Sequence, residues 1–432
     1  MVYKYVRFRG LLTIEMKKAL IVASGLRGVI GHNFFYTRTV QRELERRGFD
    51  VTVFINKQAP ASLLDETNYK PIFSLGTYDI VPQNGKRDDL IYTYLQGGIY
   101  SYELQSAINT LENKNFDLTF FHTVADFELI GLNRYLKKHK LNGHLFVMQR
   151  VTPRFQDCAK WKTVLHPYWR VRPQALNSLY KKMRGRFTLL TDSEILTEDY
   201  SHVYKHRIVT FPIPLEGFEP KESLDSLSDT VLTRYNLRRD GRICFGFMGD
   251  SRGGKGFYLL PEMIKKVLAR DESKKIKFVV QCPNSEYENV GLPTGLKELQ
   301  ELTAQHDDRV FLVREKLSEE DYILLCNYLD VTMLPYTYLP FREGTSNVFA
   351  ESVSLGKAIV VTNDTWMSHE LKKYGGGLDF ERNNVDDFAE KVLLVTDNYE
   401  EFAKKATDYS ATWRGFHNTK NLVDMLLAEI KR

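Results

Sequence analysis

Two glutamates seven residues apart, Glu343 and Glu351, stand in the run REGTSNVFAESVSLGKAIVVT, Arg342–Thr362. Spacing alone says little, since such pairs arise by chance in a chain of 432 residues. The residues between them say more. Gly344, Thr345 and Ser346 form a small polar turn, and Asn347 is suited to cap a helix beginning near Val348. The first amides of a helix lack internal partners and attract phosphate. Glu351 then falls about one turn into the helix, where a carboxylate can accept hydrogen bonds from the two neighbouring hydroxyls of a ribose. Glu343, before the turn, can hold sugar hydroxyls.

A second group is FMGDSRGGKGF, Phe247–Phe257. Arg252 and Lys255 are two cations on a glycine-rich turn with exposed amides, which suits a diphosphate. The nucleotide P-loop pattern is absent from it. A third group is SGLRGVIGHN, with Gly25, Gly28 and Gly31 between a strand and a helix, where backbone amides can meet a phosphate or a sugar. Its spacing is not the dinucleotide fingerprint, and the next strand ends in Asn56 and Lys57 with no acid for a ribose, which counts against an NAD-dependent oxidoreductase. His122, in FFHTVADFEL, ends a strand and can face the same ligand or simply pack. Asp126 and Glu128 read as surface acids. No nucleophile–base pair, serine elbow, zinc-binding HExxH or D-x-D metal motif appears, so the cations can do the work of a metal.

These residues need elements to position them. Lys17–Ser24 and Asp50–Ile55 read as strands around a helix over Phe34–Arg47 that ends at Gly48. Further strands are expected at Leu118–His122, Leu145–Val151, Phe187–Thr191 and Arg207–Phe211, with helices over Tyr102–Leu111 and Leu129–Lys138. FPIPL, Phe211–Leu215, breaks the pattern, and Glu216–Thr230 is a polar linker. Strands restart at Ile243–Met248, Ile276–Gln281, Val310–Val313, Val331–Leu334 and Ala358–Thr362. The tail, Gly415–Arg432, ends in a helical run. This alternation predicts two parallel α/β sheets in tandem, with a ligand cleft between them.

A length of 432 residues, 43% hydrophobic and 27% charged, fits two domains of about 200 residues and excludes a disordered or disulfide-built chain. No apolar run reaches the ~18 residues of a membrane span, and no signal peptide fits; the first fifteen residues read as an extension. The four cysteines are scattered and read as reduced thiols. Residues 1–215 hold 31 Lys and Arg against 19 Asp and Glu, whereas residues 216–432 hold 29 against 36. The densest basic stretch, Arg150–Arg186, is interleaved with aromatic residues and suits either a solvated face or an anionic surface. It carries no nucleic-acid motif.

Glu343–Thr362 resembles the E-x7-E signature of the retaining glycosyl transferases group 1 family. GFMGDSRGGKGF is similar to that family's glycine–cation loop, and DRVFLVREKLSEEDYILLCNYLDVTMLPY to the segment leading into the signature. RGVIGHNFFYTRTVQRELERRGFDVTVF resembles its opening loop, helix and second strand, so the resemblance covers roughly residues 17–380. It implies the GT-B fold: two Rossmann-like parallel-sheet domains facing each other across a cleft. Residues 1–215 would form the acceptor-side domain, with the helix of 415–432 packed back on it, and 216–414 the donor-side domain.

The resemblance also implies roles. Lys255 matches the lysine on the donor diphosphate; the family's arginine after the first glycine, Gly249, is Asp250 here, and Arg252 lies two residues on. Glu351 matches the ribose-binding glutamate and Glu343 the one facing the transferred sugar. Gly344, Thr345, Ser346, Asn347 and Val348 match the turn around the phosphates. Arg314 lies in the segment flanking the base, and Gly28 in the first-half loop. His122 matches a cleft histidine, while Gln149 and Arg150 stand where many relatives carry another. The implied activity is a retaining, metal-independent hexosyltransferase. It would use a nucleoside-diphosphate sugar and a glycan or lipid-linked acceptor, in cell-surface polysaccharide or glycolipid synthesis. No cofactor and no nucleic acid are expected, and the expected place is the cytoplasm, with an anionic membrane face as a candidate partner. A GT-B nucleotide-sugar epimerase and a non-catalytic nucleotide-sugar-binding protein are the alternatives.

Overall fold

Buried β-branched and aromatic runs make the strands, and the chain sorts them into two sheets. The computed structural model describes residues 4–8, 11–28, 32–64, 68–77, 79, 87–152, 170–221, 230–251, 253–283, 293–337 and 341–431. These divide into two compact units, Met1–Pro214 with His417–Arg432, and Leu215–Phe416.

The first unit opens with an antiparallel pair, β1 (Lys4–Phe8) and β2 (Leu11–Glu15), where the sequence reads only as an extension. Its main sheet holds β3 (Lys17–Ala23), β4 (Phe49–Asn56), β5 (Tyr69–Phe73), β6 (Leu118–Phe121), β7 (His144–Met148), β8 (Phe187–Thr191) and β9 (Ile208–Thr210). All pair in parallel, in the order β5-β4-β3-β6-β7-β8-β9. On one face lie α1 (His32–Arg46) and the C-terminal helix, Thr419–Ile430, which packs against it through Leu422, Val423 and Leu426. Two ion pairs tie that helix down, Arg47 to Asp424 at 2.6 Å and Arg207 to Glu429 at 2.5 Å. The other face is covered by α2 (Arg87–Asn109), α3 (Asp126–Lys138) and α4 (Val171–Met183).

The second unit has a sheet of β10 (Ile243–Phe247), β11 (Ile276–Gln281), β12 (Val310–Val313), β13 (Val331–Leu334), β14 (Ala358–Thr362) and β15 (Gly377–Phe380). It too is all parallel, ordered β12-β11-β10-β13-β14-β15. Strand order reverses between β3 and β6 in the first sheet and between β10 and β13 in the second. Loops leaving the carboxyl ends of those strands diverge there and open a crevice.

Edge strands β5 and β15 escape the sequence reading because they are short and only partly buried. The helix expected from Tyr102 begins at Arg87; apolar residues on both its faces hide the helical period. The strand expected to run to Val151 stops at Met148, where Gln149 turns away. Cys244, Cys282 and Cys326 are buried free thiols; Cys158 lies outside the described residues. Among the described residues no helix is long and apolar enough to cross a membrane.

Candidate functional site

At the reversal point of the second sheet, the loop after β10 meets the loop after β13. Gly249 leaves β10 with φ +93°, a conformation glycine adopts without strain, and its N–H donates to Gln281 Oε1 at 2.7 Å. A side-chain carbon at Gly249 would lie 2.9 Å from Lys255 Nζ and 3.6 Å from Val348. Glycine therefore opens the space in which the ammonium and the helix start meet. Gly256 has φ +67°, and any side chain there would collide with the Pro335 carbonyl. The loops are stitched by Thr337, whose N–H and Oγ1 both donate to the Gly254 carbonyl at 2.9 and 3.0 Å. Lys255 Nζ lies 5.4 Å from the Tyr336 ring centroid, held over its negative face.

The helix α5 spans Asn347–Ser354. Its cap is Ser346, whose Oγ accepts from the Phe349 N–H at 3.2 Å, and Asn347 is already its first residue. The expected cap at Asn347 is thus one position late: Ser346 has the extended backbone that a cap requires. No acid occupies the first turn, so the positive end of the helix is unneutralised. Ser352 Oγ anchors the helix to β13 through Thr332 Oγ1 at 2.9 Å.

Glu351 accepts a hydrogen bond from Tyr322 Oη at 2.8 Å. Burial pushes its carboxyl up to about 7, while the Tyr322 hydroxyl and the charge of Lys255 pull it down. Glu343 is buried, 2% exposed, and ion-paired with the neighbouring Arg342. Gly344, Thr345 and Asn347 are half-buried, and Val348 is buried. Arg314 follows β12; its N–H donates to Tyr235 Oη at 3.2 Å and its guanidinium to Cys282 Sγ at 3.6 Å. Arg252 lies outside the described residues.

The structure thus brings Gly249, Lys255, Val348 and Glu351 together. Three partners were invisible in the sequence: Tyr322, Tyr336 and Gln281. Tyr322 and Gln281 reach the site across 29 and 32 residues, and Tyr336, in the loop after β13, meets Lys255 of the loop after β10; no local spacing marks any of them.

At the reversal point of the first sheet, Gly25 and His122 line a small concavity with Asn33, Thr77 and Thr123. His122 is 2% exposed, its N–H donates to the Val22 carbonyl at 3.1 Å, and its ring lies 4.1 Å from that of Tyr36. Gly28 is half-buried, with nothing within 4 Å of where a side chain would begin, so packing does not demand glycine there. Gly31 lies outside the described residues.

Asp126 and Glu128 are not surface acids. They are 6% and 1% exposed, because the first turn of α3 points them into the unit. Asp126 takes a 2.6 Å hydrogen bond from Arg172 Nε. Glu128 accepts from the Ala125 N–H at 2.7 Å and from Ser24 Oγ, and Thr77 also bonds to it. Burial pushes the Glu128 carboxyl up to about 7, against those three hydrogen bonds. Gln149 is also internal, donating to the Val124 carbonyl at 3.1 Å and accepting from Tyr200 at 3.0 Å. Arg150 pairs with Asp192 at 3.3 Å and lies over the Tyr36 ring. With Arg172 so held and Lys182 bonded to Asn133, part of the basic stretch serves the fold rather than a surface. Residues 153–169 of that stretch lie outside the described residues. Among the described residues no group of three or more His, Cys, Asp or Glu could hold a metal ion.

Residues 242–398 match the family model described as Glycosyl transferases group 1. No curated protein matches the chain by sequence. Solved structures do match it in fold. Sucrose-phosphate synthase from Thermosynechococcus elongatus shares 12% identity with a TM-score of 0.66, over 96% of this chain and 99% of that one. The trehalose-phosphate synthase of Burkholderia xenovorans, in complex with glucose-6-phosphate, shares 12% with a TM-score of 0.64, over 96% and 100%. Anabaena HepE in complex with UDP shares 12% with a TM-score of 0.63, over 96% and 100%. The two parallel sheets are those of the GT-B glycosyltransferase fold.

Proposed function

We propose that the chain is a retaining glycosyltransferase that moves a hexosyl group from a nucleoside-diphosphate sugar to a glycan or lipid-linked acceptor, in cell-surface polysaccharide or glycolipid synthesis. The observation that carries this reading is the convergence of Gly249, Lys255, the start of α5 and Glu351 at one sheet reversal. A diphosphate fits between the Lys255 ammonium and the first amides of α5. Glu351, oriented by Tyr322, accepts the two ribose hydroxyls. Glu343 faces the sugar, and Arg314 flanks the base. UDP is the first nucleotide to try, because HepE is in complex with it.

As the sugar–phosphate bond breaks, the departing diphosphate gains negative charge. Lys255 and the α5 amides stabilise that charge, in the role that a metal ion would otherwise take. Arg252 is assigned the same role from the sequence. His122, in the first unit, is proposed to sit beside the acceptor.

Glu343→Ala tests the reading. Product analysis with a panel of nucleotide sugars should show a turnover loss of about 1000-fold or more, with nucleotide affinity retained and activity unchanged by a chelator. Release of an epimerised nucleotide sugar without acceptor would assign the chain to the epimerases instead. Nucleotide binding with no product from any donor would make it a binding protein.

A further inference from the structure

A surface helix needs one apolar face, and α2 has two. Its inner face packs on α3, with Gly97 seated against Ile130 and Gly131 against Tyr100. Its outer face carries Ile91, Tyr92, Tyr94, Leu95, Ile99 and Tyr102, which are 42–71% exposed. Ile91, Leu95, Ile99 and Tyr102 recur at the spacing of one helical stripe. From Leu90 to Tyr102 no side chain carries a charge. Twelve large hydrophobic side chains are exposed among the described residues, and six of them lie on this stretch. Single exposed apolar residues need no explanation, but a contiguous cluster marks a contact.

The surroundings indicate what it contacts. The exposed charged side chains on α3 and α4 are cations: Arg134, Lys137, Lys138 and Lys181. The two acids of α3, Asp126 and Glu128, are buried. Glu103, next to Tyr102, is held by Lys57 at 2.8 Å and by the Ser74 N–H. A second copy seated on this face would set cations against cations. An anionic bilayer meets both features, since tyrosine rings suit the headgroup layer and the cations its negative charge.

We propose that the outer face of α2 docks on an anionic lipid bilayer, with its apolar stripe in the headgroup–acyl boundary and the cations of α3 and α4 against the lipid phosphates. The donor site plays no part in this contact, so it is testable without nucleotide.

The test is flotation of the full chain with phosphatidylglycerol-containing vesicles and with pure phosphatidylcholine vesicles. The chain should float with the first and much less with the second, and salt should weaken the binding. Ile91→Glu/Leu95→Glu/Ile99→Glu should reduce partitioning at least about tenfold, with an unchanged melting temperature because the three side chains are exposed. Arg134→Glu/Lys137→Glu/Lys138→Glu should reduce it about fivefold per cation and remove the preference for anionic lipid. Absence of flotation, or flotation that survives the first triple substitution, overturns the proposal. A dimer in light scattering that the same substitution dissolves also overturns it, in favour of a second copy.

Discussion

Glu128 and Glu351 occupy matching places in the two units. Each lies near the start of a helix that follows the carboxyl end of a strand at a sheet reversal, and each carboxyl is pushed up to about 7 by burial. Their partners differ. Glu128 is met by Ser24, Thr77 and the Ala125 N–H, all from its own unit. Glu351 is met by Tyr322 at 2.8 Å, beside Lys255. Burial and a raised pKa therefore do not separate a structural acid from one proposed to bind a ligand. The number of hydrogen bonds already made does, because a carboxylate offers about four acceptor positions. Glu128 clamps the Gly25 loop, and Glu351 keeps spare acceptor capacity, which the proposed ribose contact would use.

The largest expected effect that breaks this comparison is on folding. Glu128→Ala leaves buried donors without an acceptor and should lower unfolding stability by about 3 kcal/mol in a denaturant titration. Glu351→Ala should cost less than about 1 kcal/mol there, because one tyrosine hydroxyl is released. The order reverses for nucleotide affinity in calorimetry: Glu351→Ala should lose roughly 2 kcal/mol, about 30-fold, and Glu128→Ala essentially nothing if the fold holds.

The pH dependence sharpens the contrast. A carboxyl raised from its ordinary value of 4.5 to about 7 binds its proton more tightly in the folded chain. Its stabilising contribution is then complete below pH 4.5 and is lost as pH rises through about 7. Unfolding stability should fall between those values, by up to about 3 kcal/mol for Glu128, and Glu128→Gln should flatten that slope. Nucleotide-sugar affinity should move the opposite way, rising several-fold from pH 6 to 8 as Glu351 ionises, with the rise absent in Glu351→Gln. The smallest effect concerns the cap of α5. Ser346→Ala should cost about 1 kcal/mol of stability and weaken nucleotide binding in proportion, as the helix start frays.

Much of the fold is legible in the sequence because parallel sheets buried on both faces read as continuous apolar runs. Ile276–Gln281, Val310–Val313, Val331–Leu334 and Ala358–Thr362 are strands with those bounds. Two of the four edge strands of the parallel sheets are not legible: β5 and β15 are half-buried. The first half of α2 lacks a polar face, the same property that leaves its outer stripe exposed. At the site, glycine, cation and carboxylate types point to Gly249, Lys255 and Glu351. The tyrosines that orient them are hidden, because Tyr322 meets Glu351 across 29 residues. The burial of Glu128 is hidden for the same reason, since Ser24 lies 104 residues away.

The most direct test of the donor site is calorimetric titration of the wild-type chain, Lys255→Ala and Glu351→Ala with UDP, GDP, ADP and TDP. The account predicts that the wild type binds at least one of them and that both substitutions weaken that nucleotide at least about tenfold without loss of fold. No binding by any of the four to folded wild-type protein, or binding that both substitutions leave unchanged, would contradict it.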